Sequence, residues 1–256
     1  MTQVMAMTTG RMIDPPEVDL GSGPILTGYT GTSTNIVVPY YWDDEALGQG
    51  FTFEAGDEGV FGDPITGIAE GAFSNTSGAT IYIETFSMKI HDSASTIPNT
   101  NTIVGHKGSD AEAYATKYGV WFMPIFEYDE DTGEITRFWG ARHAFIPETI
   151  GETTIVGIKG GAFMHHADVV DLPETMEEIP DNCFGFHIGM IIIIRNDEMI
   201  IGNKAIRIPA IIVGHTDSTA EDYATDNGNN FVDFETAEGL TFDEIRALME
   251  NGWITL

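Results

Sequence analysis

The feature that most constrains this chain is a stretch that occurs twice. Residues 103–122 read IVGHKGSDAEAYATKYGVWF, and residues 212–231 read IVGHTDSTAEDYATDNGNNF. The two stretches align without a gap, with Ile103 opposite Ile212, and 12 of the 20 aligned positions are identical. Identity at this level indicates an internal duplication, so we expect two related modules in tandem.

Both copies give the same local prediction. Ser109 and Ser218 suit the N-cap position of a helix, and a glutamate three residues later completes a capping box in each copy. Gly119 and Gly228 suit a left-handed C-terminal cap. An apolar run precedes each helix, and a phenylalanine follows it. The sequence therefore predicts that a strand–helix–strand unit closes each module.

A shorter period lies inside the modules. An aliphatic residue precedes a small residue by four positions in five places, and the interval between these places is nearly constant within a module. The pairs are Ile68/Ala72, Ile90/Ala94, Ile158/Ala162, Ile179/Cys183 and Ile201/Ala205. Such a period indicates a solenoid, in which each turn buries its apolar face by stacking on the next turn.

The period also places strands and core residues. Strands are expected at Thr80–Ile83, Val169–Leu172 and Ile191–Ile194. One stacked core is expected to contain Ile68, Ala72, Phe73, Ile158, Ala162, Phe163, Ile179, Cys183 and Phe184.

A second repeated phrase defines the domain organisation. ITGIAEGAF at 65–73 matches IVGIKGGAF at 155–163 in six of nine positions. The run from Pro39 to the first phrase is much longer than the equivalent run from Pro147 to the second, which indicates an insertion. The predicted organisation is an extended N-terminal arm (1–24), module 1 (25–125, with the insertion at 40–64), module 2 (126–235), and a C-terminal amphipathic helix and tail (236–256). Hairpins are expected within residues 25–39 and 126–139, the second turning at Asp131-Thr132-Gly133.

Four phrases together resemble a known family. GYTGTSTNIVVP, ITGIAEGAF, VVDLPETMEEIPDNCF and IVGHKGSDAEAYATKYGVWF are similar to the repeats of BspA-type leucine-rich repeat proteins. The resemblance covers about residues 25–235. It implies an α+β, β-rich, short leucine-rich-repeat-like solenoid, and a surface adhesion or ligand-binding protein without enzymatic activity. The chain departs from the family in having few repeats and no recognisable secretion signal.

Charge and composition exclude several partners. The chain has 40 acidic and 11 basic residues and a formal charge of −29, which repels nucleic acid and anionic membranes. A halophilic source is compatible with this acidity. The longest apolar run, Met190–Ile194, is far too short to span a bilayer, so no membrane insertion is expected.

The sequence contains no motif for catalysis or for a resident metal. YDEDTGE at 128–134 only partly resembles a calcium loop, so calcium is possible without a complete motif and a hairpin turn is the better interpretation. The duplicated His106 and His215 are expected to make structural hydrogen bonds. No cofactor is predicted.

Eight apolar residues are candidate binding residues, in three groups. Within the insertion, Tyr40, Tyr41, Trp42, Phe51 and Phe53 lie beside carboxylates, so the insertion either holds a sugar, a peptide or calcium, or acts as a lid over the first strand edge. The run MIIIIR is apolar on both strand faces, which indicates either coverage on both sides or a partner contact through Ile191 and Ile193. In the tail, Trp253 is a candidate anchor.

These observations favour binding or assembly over catalysis. The expected function is that of a non-enzymatic component of a surface assembly, such as a virion decoration or host-adhesion protein. The alternative is a secreted bacterial BspA-like adhesin, and a third alternative is an enzyme that uses the acidic insertion. Expected partners are other protein chains, with a glycan as a further candidate, at an extracellular or virion surface. The arm and the tail helix are expected either to contact another chain or to fold back on the solenoid.

Overall fold

The computed structural model describes residues 19–56, 59–163, 167–184, 189–207 and 209–250, with the backbone alone for residues 249 and 250. Within these ranges the protein is mixed α/β and rich in strands, with several separate sheets, few helices and no closed barrel. The predicted arm from 1 to 18 and the tail from 251 to 256 lie outside the described residues.

The described residues of module 1 form eight strands and two helices. They are β1 (Ile25–Tyr29), β2 (Asn35–Val37), α1 (Asp44–Gly48), β3 (Phe51–Glu54), β4 (Gly67–Ile68), β5 (Thr80–Ile83), β6 (Lys89–Ile90), β7 (Thr102–Gly105), α2 (Asp110–Tyr118) and β8 (Trp121–Pro124).

The described residues that follow form twelve strands and three helices. They are β9 (Phe126–Tyr128), β10 (Glu134–Phe138), β11 (His143–Phe145), β12 (Thr149–Ile150), β13 (Thr153–Thr154), β14 (Gly157–Ile158), β15 (Val169–Leu172), β16 (Glu178–Ile179), β17 (Ile191–Ile194), β18 (Ile200–Ile201), β19 (Ile211–Gly214), α3 (Thr219–Asn227), β20 (Asn230–Asp233), α4 (Phe234–Ala237) and α5 (Phe242–Glu250).

The strands form two sheets in each module and one small hairpin, β12–β13. In module 1, sheet 1A has the order β3-β1-β4-β6 and sheet 1B the order β2-β5-β7-β8. In module 2, sheet 2A has the order β9-β10-β14-β16-β18 and sheet 2B the order β11-β15-β17-β19-β20. Sheets 1B and 2B are parallel throughout. All three strands expected from the short period are confirmed as β5, β15 and β17.

The described apolar residues form one cluster within module 1 and a second that combines module 2 with Val104 and Ile125, besides a smaller cluster under α5. All nine residues expected in the core are buried, but Ile68, Ala72 and Phe73 lie in one cluster and the other six lie in another. The expectation of one continuous core is therefore wrong. Sheet 1B ends at β8 and sheet 2B starts at β11 without hydrogen bonding between them, so the stacking is interrupted between the modules.

A ladder of aromatic rings runs through each core. In module 2 the ring centroids of Phe126 and Phe138 are 5.4 Å apart, and those of Phe138 and Phe163 are 5.2 Å apart. Phe163 and Phe184 follow at 5.1 Å. Module 1 has a shorter version, in which Tyr29 lies 4.9 Å from Phe51 and 6.2 Å from Phe73.

The first strand of sheet 1A receives its outer partner from the insertion. β3 pairs antiparallel with β1, whereas β1 and β2 lie in different sheets. The hairpin expected within residues 25–39 is therefore wrong, because the chain turns between sheets 1A and 1B after Tyr29. The hairpin of β9 and β10 is confirmed, and Asp129 Oδ1 accepts the backbone N–H groups of Asp131 and Thr132 in its turn.

Both predicted helix caps are confirmed. Ser109 Oγ accepts the backbone N–H of Glu112, and Ser218 Oγ accepts that of Glu221. The glutamate carboxylates reach back one residue further than a simple capping box, to the N–H groups of Gly108 and Asp217, each at 2.6 Å. Both helices then end at a glycine in the left-handed conformation, with φ of 68° and 70°.

The C-terminal tail folds back over sheet 2B. Thr241 caps α5 by accepting the N–H of Glu244 at 3.2 Å, as its capping box predicts. Ile245 is 4% exposed and packs against the outward face of the sheet. The N-terminal arm also contacts its own chain where it is described, since the buried Pro24 accepts the N–H of Thr66 at 2.9 Å. The described parts of both ends therefore contact their own chain, as the fold-back alternative expects, and a partner contact through residues 1–18 or 251–256 stays a prediction.

Candidate binding surfaces

Two of the predicted binding residues hold the tail helix. The ring of Tyr40 lies 5.5 Å from that of Phe242 and 5.0 Å from that of Phe145. The ring of Tyr41 lies 5.3 Å from that of Phe242 and 4.6 Å from that of Tyr40. Burial raises the pKa of both tyrosine hydroxyls above their usual value. Both tyrosines therefore pack against Phe242, the first residue of α5, within the described structure.

The other aromatic residues of the insertion divide between core and surface. Phe51 is 2% exposed and belongs to the aromatic ladder of module 1, so it is a core residue. Trp42 and Phe53 are half-buried, with ring centroids 6.1 Å apart. Phe61 packs against Trp42 at 6.1 Å and is 54% exposed. The insertion thus serves first as an edge cover, which favours the lid interpretation, and exposes only a small aromatic patch.

The two predicted isoleucines lie beneath the tail. Ile191 is fully buried and Ile193 is 9% exposed, within a cluster that α5 completes through Ile245. The structure therefore follows the alternative of coverage on both strand faces, and the covering element belongs to the same chain. Trp253 lies outside the described residues.

A cavity of about 400 Å³ remains between the tail and sheet 2B. Its wall is mainly apolar and includes Ile193, Val213, Phe234, Leu240 and Ile245. At its rim, Arg195 is already paired with both carboxylate oxygens of Asp171, at 2.9 and 2.7 Å. The cavity is therefore an apolar space. Arg195, the cationic residue among the described residues that line it, is already paired.

A buried carboxylate joins the modules next to this region. Glu84, which is 2% exposed, accepts the backbone N–H groups of Ala141, Arg142 and His143 at 2.5 to 2.9 Å. Three donors satisfy a buried carboxylate that would otherwise be costly to desolvate. This arrangement is structural, because the carboxylate oxygens of Glu84 are occupied by backbone N–H groups at the start of β11.

The duplicated histidines have different surroundings. His106 is 2% exposed and its Nε2 lies 2.9 Å from the backbone oxygen of Glu84, which confirms the expected structural bond for this copy. Burial lowers the pKa of His106. His215 is exposed and packs its ring against Phe234 at 4.6 Å. For His215, the residues described here show no such hydrogen bond.

The outward face of sheet 1B is open in its first row. The register places Asn35, Thr80, Thr102 and Trp121 side by side across the four strands. Trp121 is 73% exposed, Asn35 is exposed, and the two threonines are half-buried. The next row differs, because its Val104 is fully buried against module 2. A single row of polar side chains with a tryptophan at its end therefore faces solvent.

Sequence reasoning did not select Trp121. The signal was present in the aligned copies, where Trp121 stands opposite Asn230. An exposed tryptophan at a position that is polar in the sister copy is not needed for the shared fold. The identical positions of the two copies predict the shared fold, whereas the candidate site lies at a position where the copies differ.

Metal and membrane sites are not found in the part of the chain that the structure describes. There, no group of three or more histidine, cysteine, aspartate or glutamate side chains is placed to hold a metal ion. No described helix has the length and apolar composition needed to cross a membrane. Comparison of the chain with protein-family models, with curated proteins and with solved structures finds no match.

Proposed function

We propose that this chain is a non-enzymatic binding component of a surface assembly, such as a virion decoration or a host-adhesion protein. In this proposal the fold is a short leucine-rich-repeat-like solenoid of two duplicated modules. The parallel strands of sheets 1B and 2B, the shared caps at Ser109 and Ser218, and the 12 identities in 20 positions support it. Solenoids of this kind present extended surfaces for binding.

The observation that carries the proposal is the contrast between two matched sheet faces. The face of sheet 2B is apolar and covered by the chain's own tail, whereas the first row of sheet 1B is open and ends in Trp121. A large aromatic side chain that contributes little to its own core is typical of a binding anchor. We infer that module 1 presents the binding surface and that module 2 with the tail stabilises it.

Fractionation of the source culture tests this proposal. Virions and cell envelopes would be purified separately on density gradients, and the chain would be quantified in each by mass spectrometry. Stoichiometric recovery with virions supports the decoration or adhesion role, and recovery with the envelope supports the alternative of a secreted BspA-type adhesin. Recovery in neither fraction would contradict a surface function.

The variant Trp121→Asn connects the test to the proposed surface. It installs the residue that the second copy carries at the matching position, Asn230, so the fold should be retained. Ile200→Thr is the matched control, because Ile200 is 64% exposed on β18, away from this face. We expect Trp121→Asn alone to reduce recovery with the assembly.

A further inference from the structure

The sequence segments that form sheet 1B contain no charged residue, although the chain as a whole is strongly charged. The chain has 40 acidic and 11 basic residues, yet four segments contain no Asp, Glu, Lys, Arg or His. They are 30–39, 71–83, 93–105 and 119–125. These segments contain the four strands of sheet 1B and the turns that lead into them. The corresponding parts of module 2 include Arg142, Asp168, Asp171, Lys204 and Asp233.

The polar residues of these segments are serine, threonine and asparagine, which carry hydroxyl and amide groups. The segments read TGTSTN up to the start of β2, SNTSGAT up to the start of β5, and STIPNTNT up to the start of β7. Several of these residues are exposed, among them Thr32, Ser33, Thr34, Ser77 and Thr100. These segments therefore supply hydrogen-bond donors and acceptors without a charged side chain of their own. Beside Asn35, Arg142 lines the same pocket, and its charge is paired with Glu45 and Asp168.

The first row of sheet 1B has unused hydrogen-bonding capacity. Among the described residues, no hydrogen bond uses the side-chain amide of Asn35 or the hydroxyls of Thr80 and Thr102. The structure uses these residues through their backbones, for example where Thr80 donates its N–H to Thr34 at 2.8 Å. Within the described part of the chain, three polar side chains in register thus point to solvent with their hydrogen-bonding groups unpaired.

Trp121 completes the row with an exposed aromatic surface. Neighbouring strands are about 4.8 Å apart, so the row from Asn35 to Trp121 spans about 14 Å. That length suits a short run of linked sugar rings, since one strand spacing is close to the length of one pyranose unit. The apolar C–H face of a sugar packs on an indole ring, while its hydroxyls exchange hydrogen bonds with threonine and asparagine.

We propose that the open face of sheet 1B binds a neutral glycan, which stacks one sugar on Trp121 and hydrogen-bonds with Thr102, Thr80 and Asn35. This inference deepens the proposed surface function, because it names the ligand class of the same face. Polyanionic glycans are disfavoured, since the net charge of −29 repels them. A protein partner is disfavoured, because protein interfaces have a cluster of apolar anchors, and in this row Trp121 is the one large apolar side chain.

The test uses the purified full chain and a printed panel of oligosaccharides. The neutral probes are built from glucose, galactose, mannose and N-acetylglucosamine, and the anionic probes carry sialic acid, uronic acid or sulfate. We expect binding to at least one neutral family and to no anionic probe. The best neutral oligosaccharide is then titrated by calorimetry at low and high salt, and the affinity should not change with salt, because no charge takes part.

Variants locate the bound sugar. Trp121→Ala should weaken binding by about tenfold or more, as expected for the loss of an aromatic anchor. The double variant Thr80→Val with Thr102→Val keeps the shape of both side chains and removes both hydroxyls, and should also weaken binding. Phe86→Ala is the control, because Phe86 is 48% exposed beyond the other end of β5. Thermal melting of each variant confirms that the fold is retained.

Three results would overturn the proposal: no binding to any neutral probe, preferential binding to anionic probes, or neutral binding that survives Trp121→Ala. These outcomes are separable from the proposed surface function. If Trp121→Asn prevents recovery with the virion or envelope but no neutral glycan binds, the surface function stands and the ligand of this face is a protein. If glycan binding occurs but the chain is found in neither fraction, the site stands and the surface function fails.

Discussion

Modules 1 and 2 carry the same closing unit but differ in what lies on the sheet beside it. In sheet 2B the outward positions are largely apolar, and α5 covers them through Ile245. In sheet 1B the first outward row contains asparagine and threonine, and no described element covers it. The residues that the modules share therefore build the fold, whereas the outward residues determine which sheet face is covered and which is exposed.

The modules also protect their first strands differently. β10 pairs with β9, which precedes it in the chain, while β1 pairs with β3, which follows it in the insertion. Each added strand contributes a phenylalanine to the ladder, Phe126 in module 2 and Phe51 in module 1. An unpaired edge strand would expose backbone groups, so β3 of the insertion protects β1 as β9 protects β10 in module 2.

The largest expected effect tests whether the two cores are equivalent. Phe163 is 1% exposed between two rings of its ladder, and Phe73 is fully buried at the corresponding position of module 1. Phe163→Ala and Phe73→Ala should each lower the free energy of unfolding by about 3–5 kcal/mol. Denaturant titration measures both, and the exposed Phe86→Ala is the control. A loss below about 1 kcal/mol for either would place that ring outside its core.

The tail gives the next largest effect, which concerns module 2 alone. Ile245→Ala should lower the free energy of unfolding by about 2–3 kcal/mol, because it removes buried methyl groups between α5 and sheet 2B. It should also increase binding of a hydrophobic dye, since the apolar face becomes accessible. Val60→Ala, at a 61% exposed position, is the control. An unchanged midpoint with Ile245→Ala would mean that the tail does not seal the face.

Much of this fold could be predicted from the sequence, because its signals are local and repeated. The caps at Ser109 and Ser218, the strands β5, β15 and β17, and the hairpin of β9 and β10 follow from residue type and spacing. The capping box at Thr241 also has a local physical cause. Each of these predictions needed only residues that are close along the chain.

Long-range pairing could not be predicted in the same way. Nothing near Phe51 in the sequence indicates that β3 pairs with β1, so its residue type and neighbours predict a ligand contact where the structure has a core residue. Tyr40 and Phe242 lie near opposite ends of the chain, and their contact depends on where the tail docks. The contacts that the structure describes for Tyr40, Tyr41 and Phe51 lie within the chain, and ligand binding by the insertion stays a prediction.

A smaller effect is expected at one buried position where the two closing units differ. Val120 packs in the core of module 1, and the matching Asn229 is 1% exposed with neither side-chain polar atom hydrogen-bonded among the described residues. Asn229→Val should raise the free energy of unfolding by about 1–3 kcal/mol, because it removes a buried unpaired amide. Val120→Asn should lower it by a similar amount. If Asn229→Val destabilises the protein, the amide has a partner in solution.

The smallest expected effect is the difference between the two helix caps. Ser109 and Ser218 each accept one N–H bond from a glutamate, so replacing either serine with alanine should cost about 1 kcal/mol. Ser109 Oγ also donates to the backbone oxygen of His106 at 2.6 Å, whereas no such bond is found for Ser218 in the described structure. Ser109→Ala should therefore cost about 0.5–1 kcal/mol more than Ser218→Ala, since the His106 carbonyl loses one of its two donors and keeps the backbone N–H of residue 109. Parallel denaturant titrations of the two single variants measure the difference, with the double variant as a check that the sites are independent. Equal losses would show that the buried environment of His106 adds nothing to the cap of module 1, and the two closing units would then be energetically as well as structurally the same.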